Sequence, residues 1–340
     1  MDLVELEEQA RQLLPQGVYD YFAGAAGDEL TLADNIAAWD RLRLRPRVLR
    51  DVAAVDTRTA VLGVPVASPI HVAPTAFHRM AHADGEEATA RGATAAGSLL
   101  VVSTRSTTRV EDVAAAGGHG VRWYQVYVLQ DRSKTEDQVK RAVAAGFGAL
   151  VLTGDTPYLG RRLRDVRNAF EIPANVGTAI AEASGTGIID QAADVTFDDI
   201  GWLMELSGLP VLVKGVLRRD DATTCIDAGA AGVIVSNHGG RQLDGAVASA
   251  DALREVVDAV GDGGEVYVDG GVRRGVDVVR ALALGAQGVL VGRPVLWALA
   301  TGGAEGVRRL LRALTHELEL AMALCGAASV AEISRDLVAP

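Results

Sequence analysis

Short runs rich in Val, Ile and Leu recur along this chain, each bounded by glycine or polar residues and separated by stretches with helical spacing. They begin at Ile70 (IHVAPTA), Leu99 (LLVVST), Arg122 (RWYQVYV), Ala149 (ALVLTGD), Pro210 (PVLVKGV), Gly232 (GVIVSN), Glu265 (EVYVDGG) and Gly288 (GVLVGR), eight in all. Near-continuous apolar character marks strands buried on both faces, as in a parallel sheet wrapped by helices. Gly85–Ala96, Lys134–Ala145, Asp220–Ala228, Ala250–Val260 and Gly275–Leu284 are the predicted helices, several closing in Ala-Gly or Leu-Gly where a C-cap belongs. Eight strands in β-α alternation predict an α/β chain folded as a (β/α)8 TIM barrel. The rival doubly wound dinucleotide fold lacks its fingerprint: no strand is followed by Gly-x-Gly-x-x-Gly opening a helix. Two regions stand outside the repeat. Residues 1–69 read as a helical cap with a short extended lead-in, and 171–200, with Gly177, Gly185 and Gly187, as a structureless, lid-like insertion after the fourth strand. The whole chain, 1–340, reads as one barrel domain.

Composition narrows the possible partners. The net charge is −11 and no basic block occurs, which argues against nucleic acid and anionic membrane. Cys225 and Cys325 are far apart and lack metal-ligand spacing, so both are expected to be buried thiols, with no metal site and a reducing cytoplasm as the setting. The acidic N-terminus resembles neither a signal nor a transit peptide, the C-terminus carries no peroxisomal tripeptide, and no apolar run reaches membrane-spanning length. Lysine occurs only at 134, 140 and 214. The first two sit in polar, helix-like sequence. Lys214 interrupts an apolar run, where an ammonium is costly to bury without a partner.

Barrel enzymes carry their chemistry at the C-terminal ends of the strands. Those ends here read Pro74-Thr75-Ala76, Ser103-Thr104, Gln125 with Tyr127, Thr153 with Asp155, Lys214, Ser236-Asn237-His238, Asp269-Gly270-Gly271 and Gly292-Arg293. Adjacent glycine turns after the last two strands, each with an arginine (Arg273, Arg293), suit a phosphate, because glycine lets backbone amides approach an anion. In Ser-Asn-His-Gly-Gly-Arg-Gln-Leu-Asp (236–244), His238 lies three residues before Arg241, a spacing suited to proton abstraction from a substrate whose carboxylate the arginine grips. A structural histidine is the competing reading. Asp155 is placed to raise the basicity of that histidine. An inward-facing arginine from the run at 156–165 would complete a two-arginine clamp.

Together these residues resemble the FMN-dependent 2-hydroxy-acid oxidase and dehydrogenase family. The resemblance runs from Tyr-Asp-Tyr-Phe-Ala-Gly-Ala at 19–25, through Ala-Pro-Thr-Ala at 73–76 and the 236–244 motif, to Glu-Ile-Ser-Arg at 332–335. GRRLRDVRNAF (160–170) and NHGGRQLDGA (237–246) are most similar to bacterial hydroxymandelate oxidases. The resemblance implies that His238 is the base, paired with Asp155, and that Arg241 and Arg162 bind the substrate carboxylate with help from Tyr21. It implies that Tyr127 bonds the substrate hydroxyl or the developing oxo group and that Lys214 lies near flavin N1 and O2. Thr75 and Ala76 would line the flavin edge, and Ser103, Gln125, Thr153 and Ser236 would contact the ring system. Asp269, Gly271, Arg273, Gly292 and Arg293 would hold the ribityl chain and phosphate.

The reaction implied is oxidation of an (S)-2-hydroxy acid to the 2-oxo acid, with oxygen as acceptor and a homotetramer as the assembly. The expected substrate is aryl, mandelate or 4-hydroxymandelate, with a small aliphatic acid as the alternative. An FMN-dependent isomerase or a non-catalytic flavin-binding protein would be the readings of another class. Arg105, in Ser-Thr-Arg-Ser, sits where relatives place an aromatic or aliphatic residue. It is expected to turn outward to solvent; turned inward, it would favour a polar or anionic group at the far end of the substrate.

Overall fold

The computed structural model describes residues 1–173, 176–179 and 191–339. Eight parallel strands close into a barrel, each pairing with the next along the chain and the last, from Gly288, with the first, from Ile70. They are β3 (Ile70–Val72), β4 (Leu100–Ser103), β5 (Arg122–Val126), β6 (Leu150–Thr153), β7 (Val211–Val216), β8 (Gly232–Val235), β9 (Glu265–Asp269) and β10 (Gly288–Val291). Each coincides with a predicted run. The five predicted helices are present within one or two residues of their expected ends, joined by Val110–Gly117, Asp198–Ser207 and the long Arg293–Cys325. That last helix breaks at Gly303, whose φ of +55° and ψ of −141° are not helical.

Strand periodicity positions the site. Side chains alternate between faces, so residues i and i+2 share one face. Ala73, Val101, Trp123, Val151, Leu212, Ile234, Tyr267 and Leu290 fill the barrel interior, while their neighbours Val102, Tyr124, Leu152, Val213, Val235, Val268 and Val291 join the larger core under the helices. Two residues past each interior position stand Thr75, Ser103, Gln125, Thr153, Lys214, Ser236, Asp269 and Gly292. The polar layer at the strand ends is therefore the next tier of the same interior face. Apolar packing beneath it, such as Trp123 edge-on to Tyr267 at 5.3 Å, closes the barrel floor.

One expectation gains detail and another needs correcting. The lead-in before the barrel contains a hairpin, β1 (Thr59–Val61) paired antiparallel with β2 (Val64–Val66). Its Val61 and Val66 are buried in the interior cluster, so the hairpin plugs the barrel at the end away from the polar layer. The 171–200 stretch is not structureless throughout, because the helix Asp198–Ser207 begins inside it. Its Gly185 and Gly187 lie outside the described residues. Among the described residues no helix is long and apolar enough to cross a membrane.

The N-terminal cap of Leu3–Leu13, Gln16–Ala23 and Leu30–Arg41 docks on the strand-end loops. Trp39 donates its indole N–H to the Gly270 carbonyl at 2.8 Å. Asn35 and Asn237 exchange two amide hydrogen bonds, both 2.8 Å, in a buried pair. The Asn35 backbone leaves no room for a side chain opposite: a Cβ on Gly271 would lie 1.9 Å from the Asn35 carbonyl oxygen.

Candidate active site

A cavity of about 360 Å³ lies between the cap and the strand ends. Thr75, Ala76, Ser103, Arg105, Tyr127, Tyr21, Arg162, Lys214, His238, Arg241, Asp269, Gly271, Arg273, Gly292 and Arg293 all line it. Gln125, Thr153, Ser236 and Asp155 stand behind its wall. Gln125 donates to Thr153 Oγ1 at 2.9 Å and accepts from Ser103 Oγ at 3.1 Å, so its amide is spent on holding neighbours of the polar layer.

His238 follows β8 on a left-handed turn, with φ of +59° at His238, +63° at Gly239 and +76° at Gly240. Holding a histidine in that region costs on the order of 1 kcal/mol. The turn is fixed by Asn237, whose side chain accepts from the Gly240 N–H at 3.1 Å, and by Ser236 Oγ, which accepts from the His238 N–H at 3.0 Å. His238 Nδ1 meets Asp155 Oδ1 at 3.0 Å, leaving Nε2 for the cavity. Burial, seconded by Lys214 and Arg241 and opposed by Asp155, holds the His238 pKa below its ordinary value, so the ring is neutral at neutral pH. Burial pulls the Asp155 carboxyl up, yet His238 and Lys214 outweigh it and keep the group ionised. Its approach to β7 depends on Gly215, where a Cβ would lie 2.6 Å from the Asp155 Cβ at a φ of +108°.

Lys214 sits at the irregularity between β7 and β8, fully buried, with Nζ 2.8 Å from Ser236 Oγ and 3.1 Å from Asp269 Oδ2. Burial disfavours its charge, but Asp269 and Asp155 hold the ammonium above the ordinary lysine value. The second carboxylate oxygen of Asp269, Oδ1, is buried without a hydrogen-bond partner.

Two guanidiniums flank Tyr21, with Arg241 5.1 Å and Arg162 5.7 Å from its ring centre. Arg241 Nη1 donates to the Tyr21 and Gly24 carbonyls at 2.7 and 2.8 Å. Arg162 makes a 4.0 Å approach to Asp165, and its buried Nε has no partner. Burial first, then the facing Arg162, pushes Arg241 down to about 10. Tyr127 is half-buried at the cavity wall, and desolvation with the nearby Asp155 raises its pKa, so its phenol stays protonated.

A second cationic corner lies at the last two strands. Arg293 donates to the carbonyls of Phe22, Gly239 and Gly24 at 3.0, 3.1 and 2.9 Å. Burial, then Arg241 and Arg273, pushes it down to about 9, and burial lowers Arg273 as well. With Gly292 opening the Arg293–Cys325 helix, these groups could hold a phosphate at a helix N-terminus. Glycine serves less directly than its spacing suggests, since Gly271 makes room for the Asn35 backbone.

Arg105 corrects the expectation of an outward side chain. It is half-buried, lines the cavity and lies with its guanidinium 5.7 Å from the Tyr127 ring centre. The cause is local: Ser103 Oγ accepts from its backbone N–H at 3.0 Å, and its carbonyl accepts from Phe77 N at 3.2 Å. Two features escaped the sequence. His78 bonds the Thr75 hydroxyl at 2.6 Å and Thr89 at 2.8 Å, above a buried Glu86 that accepts from Thr107 and Thr108. Phe170 stacks on Tyr21 at 5.1 Å. Among the described residues no His, Cys, Asp and Glu cluster could hold a metal, and both cysteines are buried and free.

A barrel whose strand ends gather a half-buried His–Asp pair, a two-arginine clamp and a separate arginine-lined anion corner defines a cofactor-dependent enzyme acting on a small carboxylate. The chain belongs to the FMN-dependent dehydrogenase family, which it matches over residues 10–340. It is 48% identical to glycolate oxidase 1 of Zea mays, over 98% of this chain and 94% of that protein. It is 47% identical to the L-lactate oxidase of a Nostoc species, over 98% and 96%. A crystal structure of mandelate oxidase with (S)-4-hydroxymandelic acid superposes with a TM-score of 0.93 at 43% identity, over 98% of this chain and 97% of that one. The cofactor is accordingly FMN and the chemistry is oxidation of a 2-hydroxy acid. The unpartnered Asp269 oxygen and the uncompensated arginines suit a polyol chain ending in phosphate.

Proposed function

We propose that this chain oxidises an aryl (S)-2-hydroxy acid, 4-hydroxymandelate or mandelate, to the 2-oxo acid, with oxygen as acceptor. The observation that carries the aryl reading is the cavity wall of Ala76, Leu159, Phe170 and Ile172, an apolar surface sharing one cavity with the arginine clamp. Arg162 and Arg241 hold the substrate carboxylate between them. Tyr127, protonated, donates to the substrate hydroxyl oxygen. His238, neutral, receives a proton at Nε2, and Asp155 at Nδ1 stabilises the imidazolium that results.

Thr75, Ala76, Ser103 and Lys214, with Gln125, Thr153 and Ser236 behind them, would hold the flavin ring. Asp269 would hold the ribityl chain, and Gly271, Arg273, Gly292 and Arg293 the phosphate. When bound, FMN supplies the acceptor for the two electrons removed from the substrate. Lys214 adds a fixed positive charge to that end of the site. The proposal extends to a homotetramer, and to a reducing cytoplasm that two buried unpaired cysteines would suit.

The test is the visible spectrum of the purified protein before and after anaerobic addition of mandelate, 4-hydroxymandelate, lactate or glycolate. Bleaching by the aryl acids and recovery of colour in air supports the proposal. Bleaching by lactate or glycolate alone would move the substrate to the small aliphatic class.

A further inference from the structure

Six cationic side chains line the cavity: Arg105, Arg162, Lys214, Arg241, Arg273 and Arg293. Four are hydrogen-bonded, and a fifth has only a long ion-pair approach. Lys214 is paired with Asp269, Arg162 approaches Asp165, and Arg241, Arg273 and Arg293 donate to backbone carbonyls. Arg105 differs. Its backbone is pinned on both sides by Ser103 and Phe77, yet among the described residues no carboxylate, hydroxyl or carbonyl is bonded to its guanidinium. Its one close neighbour is the Tyr127 ring at 5.7 Å, a contact that orients the cation without neutralising it. It also lies over a different ring from the clamp, whose two arginines share Tyr21. A carboxylate held by the clamp therefore leaves Arg105 still facing the cavity with a vacant planar fork, the geometry that suits a second carboxylate.

We propose that Arg105 is a specificity-determining residue that binds an anionic group at the far end of the substrate's side chain, so that 2-hydroxy acids whose side chain ends in a carboxylate are preferred over their neutral counterparts. The inference rests on the 2-hydroxy-acid reading above and deepens it. The oxidation itself is unchanged: the Cα–H and O–H bonds break, the carbonyl forms, one proton goes to His238 Nε2, and the electron pair with the second proton goes to the FMN the family uses. Arg105 acts only on which acid is held.

The experiment compares 4-carboxymandelate with mandelate in anaerobic flavin reduction by the holoenzyme, in wild type, Arg105→Leu and Arg105→Lys. In wild type the ratio of kcat/KM should favour the carboxylated acid by about 10- to 100-fold, the range a charge-assisted contact supplies. Arg105→Leu should collapse that ratio towards one, and Arg105→Lys should retain part of it. An unaltered ratio in Arg105→Leu, or a wild-type preference for mandelate, would overturn the inference. Binding of the two 2-oxo products, 4-carboxybenzoylformate and benzoylformate, read from the perturbed flavin spectrum, gives the same ratio without turnover. If neither acid reduces the flavin while that binding ratio still depends on Arg105, the oxidation reading falls and the anion site stands. If the binding ratio ignores Arg105, the anion site falls on its own.

Discussion

Replacing Asp155 with asparagine removes one charge from the His238 pair while keeping its size. The carboxylate meets Nδ1 at 3.0 Å in a half-buried setting, and it is the main influence raising the pKa of a histidine that desolvation holds low. A charge-assisted bond of this kind is worth about 1.5–3 kcal/mol, so the loss corresponds to roughly 10- to 150-fold in the rate of flavin reduction. The pH profile gives a second, independent readout. His238 works as a base when neutral, so activity falls as pH drops through its pKa, which lies below the ordinary histidine value. Without Asp155 that pKa drops further, so the acid limb must move to lower pH while the plateau falls. Anaerobic stopped-flow reduction across pH measures both quantities, with bound FMN per chain as the control for an intact site. Substrate saturation should change little, because Arg162 and Arg241 are untouched. A plateau within about twofold of wild type would refute the reasoning, as would an acid limb shifted to higher pH.

Lys214→Met should cost about 3–5 kcal/mol in denaturant unfolding, because it leaves Asp269 and Asp155 buried without their cation. Since Lys214 is held above the ordinary lysine value, its stabilisation is complete at neutral pH and is lost only as pH rises through that raised value. The stability gap between wild type and Lys214→Met should therefore be flat from about pH 6 to about pH 9. Gly271→Ala should lower the unfolding midpoint and release FMN, at a cost of roughly 2 kcal/mol or more, because φ is +79° and the new Cβ would strike the Asn35 carbonyl. Unchanged melting in Gly271→Ala would show that the cap is not seated by this approach.

The barrel was legible because parallel strands are buried on both faces, and eight apolar runs announce that directly. The strand-end chemistry was legible for a related reason: a polar residue such as Lys214 or Asp269 two places beyond a buried Leu212 or Tyr267 has only the barrel mouth to face. The hairpin escaped because β1 and β2 have three residues each, joined by Leu62-Gly63, and what stabilises them is the barrel floor. Asn35 reads as one more polar helix residue; its burial is explained by Asn237, 202 positions away, and by the Ser249 backbone N–H. The direction of Arg105 was not readable either, since nothing in Ser-Thr-Arg-Ser says which way the chain turns. Its bonds to Ser103 and Phe77 decide that, and Phe77 comes from the preceding strand-end loop.

The distribution of charge joins these observations. A chain of net charge −11 lines one cavity with six cations against the carboxylates of Asp165 and Asp269. Burial first, and then repulsion between the neighbouring guanidiniums, lowers both Arg241 and Arg293. The fold holds them together by giving their donors to the cap: Arg241 bonds the carbonyls of Tyr21 and Gly24, and Arg293 those of Phe22 and Gly24. The same few bonds therefore seat the cap and aim the guanidiniums. Weakening the cap should loosen the grip on anionic ligands before it opens the barrel, because the barrel's own core lies below the polar layer and does not depend on it.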